Sequence, residues 1–210
     1  MKKKNNQNYW NKYYSKVKLT KKPTKFAKFC KAIIKNYKGT LFDIGCGNGR
    51  DALYFNENHI NCIGIDKSQE TISILKKKNS LLKENFINYD FSLFFKKKLK
   101  IKKFSIYSRF TLHAVNHRCE KNFIKNISKQ KKLEYLFIET RTLKDELYGV
   151  GKKIGKHEFV STHYRRFINP TEIKNKLQKK FKILYFKEAK NFAKFKGQNP
   201  CVLRIIAKKK

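Results

Sequence analysis

The stretch Thr40-Leu-Phe-Asp-Ile-Gly-Cys-Gly-Asn-Gly-Arg-Asp51 leaves few folds open to this chain. Thr40 to Ile44 is a short apolar run behind Lys38-Gly39 and reads as a buried strand. Gly45, Gly47 and Gly49 follow at alternate positions, and Arg50-Asp-Ala-Leu-Tyr-Phe55 resumes at helical spacing. Strand, glycine turn and helix together let backbone N–H groups approach a ligand with no Cβ in the way. The helix that opens there presents its positive end to whatever occupies the turn. Asn61-Cys-Ile-Gly-Ile65 reads as the next strand, and Asp66 closes it, 23 positions after Asp43. An acid at such a distance is placed to grip a ribose diol in nucleotide-binding sheets.

Asp43-Ile-Gly-Cys-Gly-Asn-Gly49 resembles motif I of the class I S-adenosylmethionine-dependent methyltransferases. Its glycines fall at G-x-G-x-G, whereas the dinucleotide fingerprint has G-x-G-x-x-G. The resemblance implies an α/β fold, a Rossmann-like doubly wound seven-stranded sheet, mostly parallel with an antiparallel C-terminal strand. It implies S-adenosyl-L-methionine as cofactor, with Asp43, Gly45, Cys46, Gly47, Gly49 and Arg50 around the turn. Asp66 and Lys67 follow the second strand; Asp90 and Phe91 would face the adenine edge, an ordinary strand-end carboxylate being the other reading of Asp90. The chain is similar to small stand-alone methyltransferases, including those of tellurite-resistance type and those of surface-glycan biosynthesis.

With 210 residues, the chain suits one domain. Residues 1–38 read as an N-terminal helical cap segment, and 39–210 as the methyltransferase domain with a substrate loop near 145–166. Tyr9, Trp10, Tyr13 and Tyr14 precede a helix that Thr24 caps, with Phe26, Ala27, Phe29, Cys30, Ile33 and Ile34 at three- and four-residue spacing. In similar methyltransferases such an aromatic segment closes over the cofactor pocket, which would put Trp10 and Tyr14 against the substrate. Packing of the helix onto the sheet is the alternative, and both can hold.

Further along, Ser68 is placed to cap a helix with Ile72, Leu75 and Leu82 on one face. Residues 85–91 read as the third strand, ending in an acid, and 103–108 as the fourth, from which Arg109 and His113 emerge. Ligands in such sheets sit beyond the carboxyl ends of the strands. A helix over about 120–129 and a fifth strand over 132–138 lead to Glu139-Thr-Arg141. Residues 145–163 carry three glycines and two histidines, too irregular for a regular element and too long for a plain connection. They read as a substrate loop or lid. A helix from Pro170 and two closing strands, 181–186 and 201–206, complete the pattern.

The net charge of +37 invites a nucleic-acid reading. Yet 45 of the 52 basic residues are lysines, spread along the chain as solvated clusters, which predicts non-specific polyanion binding at low salt. The Asn-Pro-Pro-Tyr run carried by many nucleic-acid N-methyltransferases is missing after the fourth strand, which counts against an RNA methyltransferase. A non-catalytic S-adenosylmethionine-binding module is the other alternative, opposed by the furnished end of strand four. The arginines carry more information. Arg109, Arg141, Arg165 and Arg166 follow strand ends or the lid, and their planar forks suit a carboxylate or phosphate.

His113 and His163 are candidate bases for O-methylation of a small anionic or sugar-type acceptor, a phosphorylated or acidic glycan precursor, with Arg109 beside them. His113 and His117 stand four apart and could share a helix face, but no third ligand suggests a metal. Five scattered cysteines without Cys-x-x-Cys spacing fit a reduced, cytoplasmic protein, and no apolar run is long enough to span a membrane. The sequence fixes neither the acceptor nor an oligomeric state.

Overall fold

The computed structural model describes residues 9–11, 13, 22–96, 99–195 and 197–210. Alternation within the strands decides the architecture. Leu41, Tyr107, Phe137 and Ile206 belong to one buried cluster, while their neighbours Phe42, Ile106, Leu136, Ile138 and Ile205 belong to another. Successive strand side chains point to opposite faces, so apolar residues at both parities demand cover on both sides. The sheet has that cover. It comprises β1 (Thr40–Ile44), β2 (Cys62–Asp66), β3 (Phe86–Asn88), β4 (Phe104–Arg109), β5 (Leu133–Arg141), β9 (Phe181–Ala189) and β10 (Val202–Lys209), ordered β3-β2-β1-β4-β5-β10-β9. β10 alone runs antiparallel, against both β5 and β9.

Helices α1 (Lys25–Ile33), α2 (Arg50–Glu57) and α3 (Gln69–Lys78) cover one face through Phe26, Cys30, Ala52, Phe55, Ile72 and Leu75. Helices α5 (His117–Ser128) and α6 (Pro170–Leu177) cover the other through Phe123, Ile127, Ile173 and Leu177. The anticipated caps are present: Thr24 Oγ1 accepts the Ala27 N–H at 3.0 Å, and Ser68 Oγ the Thr71 N–H at 3.2 Å. Each such cap is worth about 1 kcal/mol.

The structure departs from the sequence reading where pairing is long-range. The third strand stops at Asn88, and Asp90 instead caps the short helix α4 (Phe91–Phe94) by accepting the Ser92 N–H. Leu82 lies beyond α3, in the 3-10 turn Ser80–Asn85. His113 sits in a separate 3-10 turn, Leu112–Ala114, and Asn116 starts α5 anew, so His113 and His117 share no helix face. The supposedly irregular loop holds a second sheet of β6 (Lys152–Gly155), β7 (Glu158–Val160) and β8 (Tyr164–Arg166), all antiparallel. Among the described residues no helix is long and apolar enough to cross a membrane, and no group of His, Cys, Asp or Glu is arranged to hold a metal.

Candidate active site

The parallel strands end at a cleft of about 620 Å³. Its floor is the glycine turn between β1 and α2. Gly45, Gly47 and Gly49 take φ of 69°, 53° and 71°, a region open to glycine and strained for other residues. Gly45 is also sterically locked, because a Cβ there would stand 2.5 Å from Thr111 Oγ1. The Gly45 and Cys46 N–H groups donate to Ile65 O at 2.7 and 3.1 Å, tying the turn to β2. Gly49 serves the fold, capping α2 with its missing Cβ facing Leu75 and Phe86.

Asp43 of β1, Asp66 of β2 and Asp90, the cap of α4 just beyond β3, face this cleft with their carboxyl groups. Asp66 holds the turn: its Oδ2 accepts the Gly47 N–H at 2.9 Å and its Oδ1 the Ser68 N–H at 2.9 Å. Burial pushes Asp66 up, and those backbone donors pull it back. Asp43 is driven well above the carboxylate range by burial and by the nearby Asp51 and Asp66. Asp90 lies below its usual value; burial would raise it, but the Ser92 hydroxyl and Lys67, whose Nζ is 3.1 Å away, lower it. Arg50, Phe91 and Cys46 also line the cleft, and burial keeps the Cys46 thiol protonated.

The opposite wall is cationic. Arg109, Arg141, Arg165, His113 and His163 line it together. Two of these guanidiniums are already paired. Arg109 Nε donates to Glu139 Oε1 at 2.9 Å, and Arg141 Nη1 spans both oxygens of Asp145 at 2.8 and 3.0 Å while Nη2 reaches Gln198 Oε1. Arg165 differs. It donates to Ser161 Oγ at 2.9 Å and has no carboxylate in ion-pair range among the described residues. Burial, then the like charge of Arg141, lowers its pKa.

Arg166 does not belong to the cleft, against the sequence reading. It turns into the core, donating to Glu120 Oε2, Leu112 O and Val115 O, and so joins the small sheet to α5. Neighbouring residues of β8 face opposite ways, so Arg165 and Arg166 cannot both reach one pocket.

The two histidines differ as well. His113 is buried, and its Nδ1 has no hydrogen-bond partner. Burial, then Arg141, His163, Arg165 and Arg109, hold it well below the usual imidazole value. His163 is pushed down to about 3 by burial, Arg165 and Arg141. Its Nδ1 meets Thr162 Oγ1 at 3.1 Å, and its ring stacks on Tyr9 with centroids 4.1 Å apart. Trp10 stands edge-on to the same ring at 5.2 Å. The Ser68 hydroxyl donates to Asn11 Oδ1 at 2.6 Å, so this N-terminal segment reaches both β2's end and the lid. Tyr14 lies outside the described residues.

Several lining residues were not singled out from sequence. Phe110 has φ of 55° at the end of β4, with its ring 4.3 Å from the Arg109 guanidinium carbon and edge-on to His113. A bulky residue held at positive φ marks a place where the surroundings override local preference. Asp51 accepts the Thr24 N–H, the Thr24 hydroxyl and the Tyr107 hydroxyl at 2.8, 2.9 and 2.8 Å, anchoring α1 to the cleft. Spacing gave no sign of that triad.

The family described as "Tellurite resistance protein TehB" matches residues 2–145. This chain belongs to the TehB family. Its fold agrees with that of TehB from Haemophilus influenzae, at a TM-score of 0.65 and 18% identity over 98% of this chain and 67% of that one. An S-adenosylmethionine-dependent methyltransferase from Methanosarcina mazei superposes at 0.68 with 18% identity, covering 84% and 96% of the two chains. The 1,6-didemethyltoxoflavin-N1-methyltransferase of Burkholderia thailandensis, with bound S-adenosylhomocysteine, superposes at 0.63 with 14% identity over 88% and 76%. Among curated proteins none matches the chain significantly in sequence. The seven-stranded sheet with its antiparallel closing strand is thus the methyltransferase fold, in the TehB member at hand as in these structures.

Proposed function

We propose that this TehB-family chain is an S-adenosylmethionine-dependent methyltransferase whose acceptor is small, bears an anionic group and is methylated on oxygen. The residues present fit the cofactor. The carboxyl groups of Asp43, Asp66 and Asp90 line a cleft floored by left-handed glycines, an acceptor set suited to a ligand carrying a sulfonium and an ammonium. Asp43 and the Gly45 turn would take the methionine portion, Asp66 the ribose, and Asp90 with Phe91 the adenine edge. Bound there, S-adenosylmethionine supplies a methyl group activated for in-line displacement.

The observation that carries the acceptor class is Arg165. Its guanidinium lines the cleft beside Arg141 and His113 with a hydroxyl as its side-chain partner and no carboxylate. A half-buried cation with no acid in ion-pair range among the described residues favours an anionic visitor. A phosphorylated or acidic sugar offers both that anion and a hydroxyl, and the family's printed name, which refers to tellurite, points to a small anion too. His113, which lines the cleft beside these arginines, is the base that this reading assigns to the hydroxyl proton.

Two measurements test this. Asp66→Ala removes the acid at the end of β2 and the brace of the Gly47 turn, so calorimetric titration is expected to show S-adenosylmethionine affinity reduced about a hundredfold, at ~1.5–3 kcal/mol per charged hydrogen bond. Wild-type affinity in a folded variant would sink the cofactor assignment. Arg165→Lys keeps the charge but loses the fork. It is expected to lower kcat/KM for the acceptor by about tenfold to a hundredfold with cofactor affinity unchanged. Full turnover by the lysine variant rules out Arg165 as the anion contact.

A further inference from the structure

The outer end of the small sheet, away from the cleft, combines two features that the catalytic reading does not use. Tyr148, Val150 and Val160 are 39%, 49% and 36% exposed. They lie together: Lys152 of β6 pairs with Val160 of β7, and a Cβ on Gly151 would stand 2.5 Å from Val160 O. Gly149 and Gly151, at φ of 86° and 96°, turn the chain sharply on either side of Val150 and leave its side chain at the tip. The segment that forms this apolar tip carries charge of one sign. Residues 147–157 contain Lys152, Lys153 and Lys156 and no acid. Lys156 is engaged by Glu172, whereas Lys152 and Lys153 are exposed and make no ion pair among the described residues.

We propose that this tip is a docking surface for an anionic lipid membrane. Aliphatic side chains flanked by lysines suit the boundary between headgroups and acyl chains, where the valines leave water and the ammonium groups meet lipid phosphates. A nucleic acid shares the charge preference, but it has no use for exposed valines; single strands are held on stacking aromatics, and Tyr148 at this tip is tied to His157 Nδ1 at 2.9 Å. The same small sheet supplies Ile154, Glu158, Tyr164 and Arg165 to the cleft. Docking through its outer end therefore sets the cleft beside the membrane without covering its lining. The inference does not depend on which acceptor enters.

Flotation of the full chain with phosphatidylcholine vesicles, with and without phosphatidylglycerol, tests it at about 0.15 M salt, where the Debye length of ~8 Å damps the pull of the other lysines. Binding is expected only to the phosphatidylglycerol vesicles. Val150→Asp/Val160→Asp and, separately, Lys152→Glu/Lys153→Glu are each expected to weaken it at least about tenfold. Lys76→Glu/Lys77→Glu, on the exposed face of α3, carries the same charge change as the second pair and is expected to stay within about twofold of wild type. All the replaced side chains are exposed or half-exposed, so melting curves confirm that each variant is folded. The idea is overturned by an α3 variant as weak as the tip variants, which reduces the effect to bulk charge. Valine variants that bind like wild type overturn it equally, as does a tip whose changes affect binding to RNA but not to vesicles.

Discussion

Glu139→Ala is expected to cost about 3–5 kcal/mol of folding stability, the range for stripping one partner from a buried ion pair. For a chain of this size that corresponds to a melting temperature lower by roughly 10 °C. Glu139 is 1% exposed and serves two arginines at once: Oε1 accepts Arg109 Nε at 2.9 Å and Oε2 accepts Arg204 Nε at 2.7 Å. Both guanidiniums are largely buried, and neither has a second carboxylate among the described residues. Each keeps a weaker contact, Arg109 over the Phe110 ring and Arg204 over the Phe192 ring at 4.3 Å, which softens the loss but does not replace a charge. Arg204 Nη2 also donates to Phe192 O, so the damage would spread into the segment between β9 and β10 that walls the cleft. Glu139→Gln retains one acceptor oxygen and is expected to fall between wild type and alanine. Thermal melting decides the matter, and an alanine variant that melts with wild type would show that the two arginines find other partners.

What the sequence made legible follows from how local each determinant is. The turn at Gly45 to Gly49 and the strand and helix beside it are specified within a few residues of one another by backbone requirements that glycine alone meets cheaply, and Asp66 by its place at the end of the next apolar run. The caps at Thr24 and Ser68 are equally local. The small sheet was not legible, because β7 and β8 have three residues each and exist only through pairing with one another. Arg109, Arg141 and Arg165 do line the cleft, but Arg166 was misplaced, and the acids that hold the others were missed, for a physical reason. With 15 acids against 52 bases, the arginines looked free to bind a substrate. In fact the buried acids Glu120, Glu139 and Asp145 are matched to Arg166, Arg109 with Arg204, and Arg141. A guanidinium is more weakly hydrated than an ammonium and offers a rigid fork, so in this lysine-rich chain the buried cations Arg141, Arg166 and Arg204 are all arginines. Among the arginines of the cationic wall, Arg165 stands apart because no acid of the described residues claims it.

Replacing His113 by Asn is expected to lower kcat about a hundredfold to ten-thousandfold, the usual worth of a positioned base, while cofactor affinity stays as it was. The ring is confined: it is 5% exposed and packs edge-on against Phe110 at 5.2 Å, with Nδ1 left unpartnered. A weak base is a poor choice in isolation. But although burial does most to hold His113 below its ordinary value, the guanidiniums of Arg141, Arg165 and Arg109 that add to it also acidify a hydroxyl bound among them, and transfer depends on the difference between the two. The sign of the pH effect follows. Since His113 is held below the free imidazole value of about 6.5, it is neutral and able to accept a proton throughout the neutral range, so kcat is expected to stay level as pH falls from 8 to 6. His163, held at about 3, is neutral there too, but its Nδ1 is committed to Thr162 and its face to Tyr9. His163→Phe preserves the stack and is expected to retain activity within about tenfold of wild type. Should the phenylalanine variant lose turnover while His113→Asn keeps it, the base lies on the lid and the roles given to the two rings are reversed.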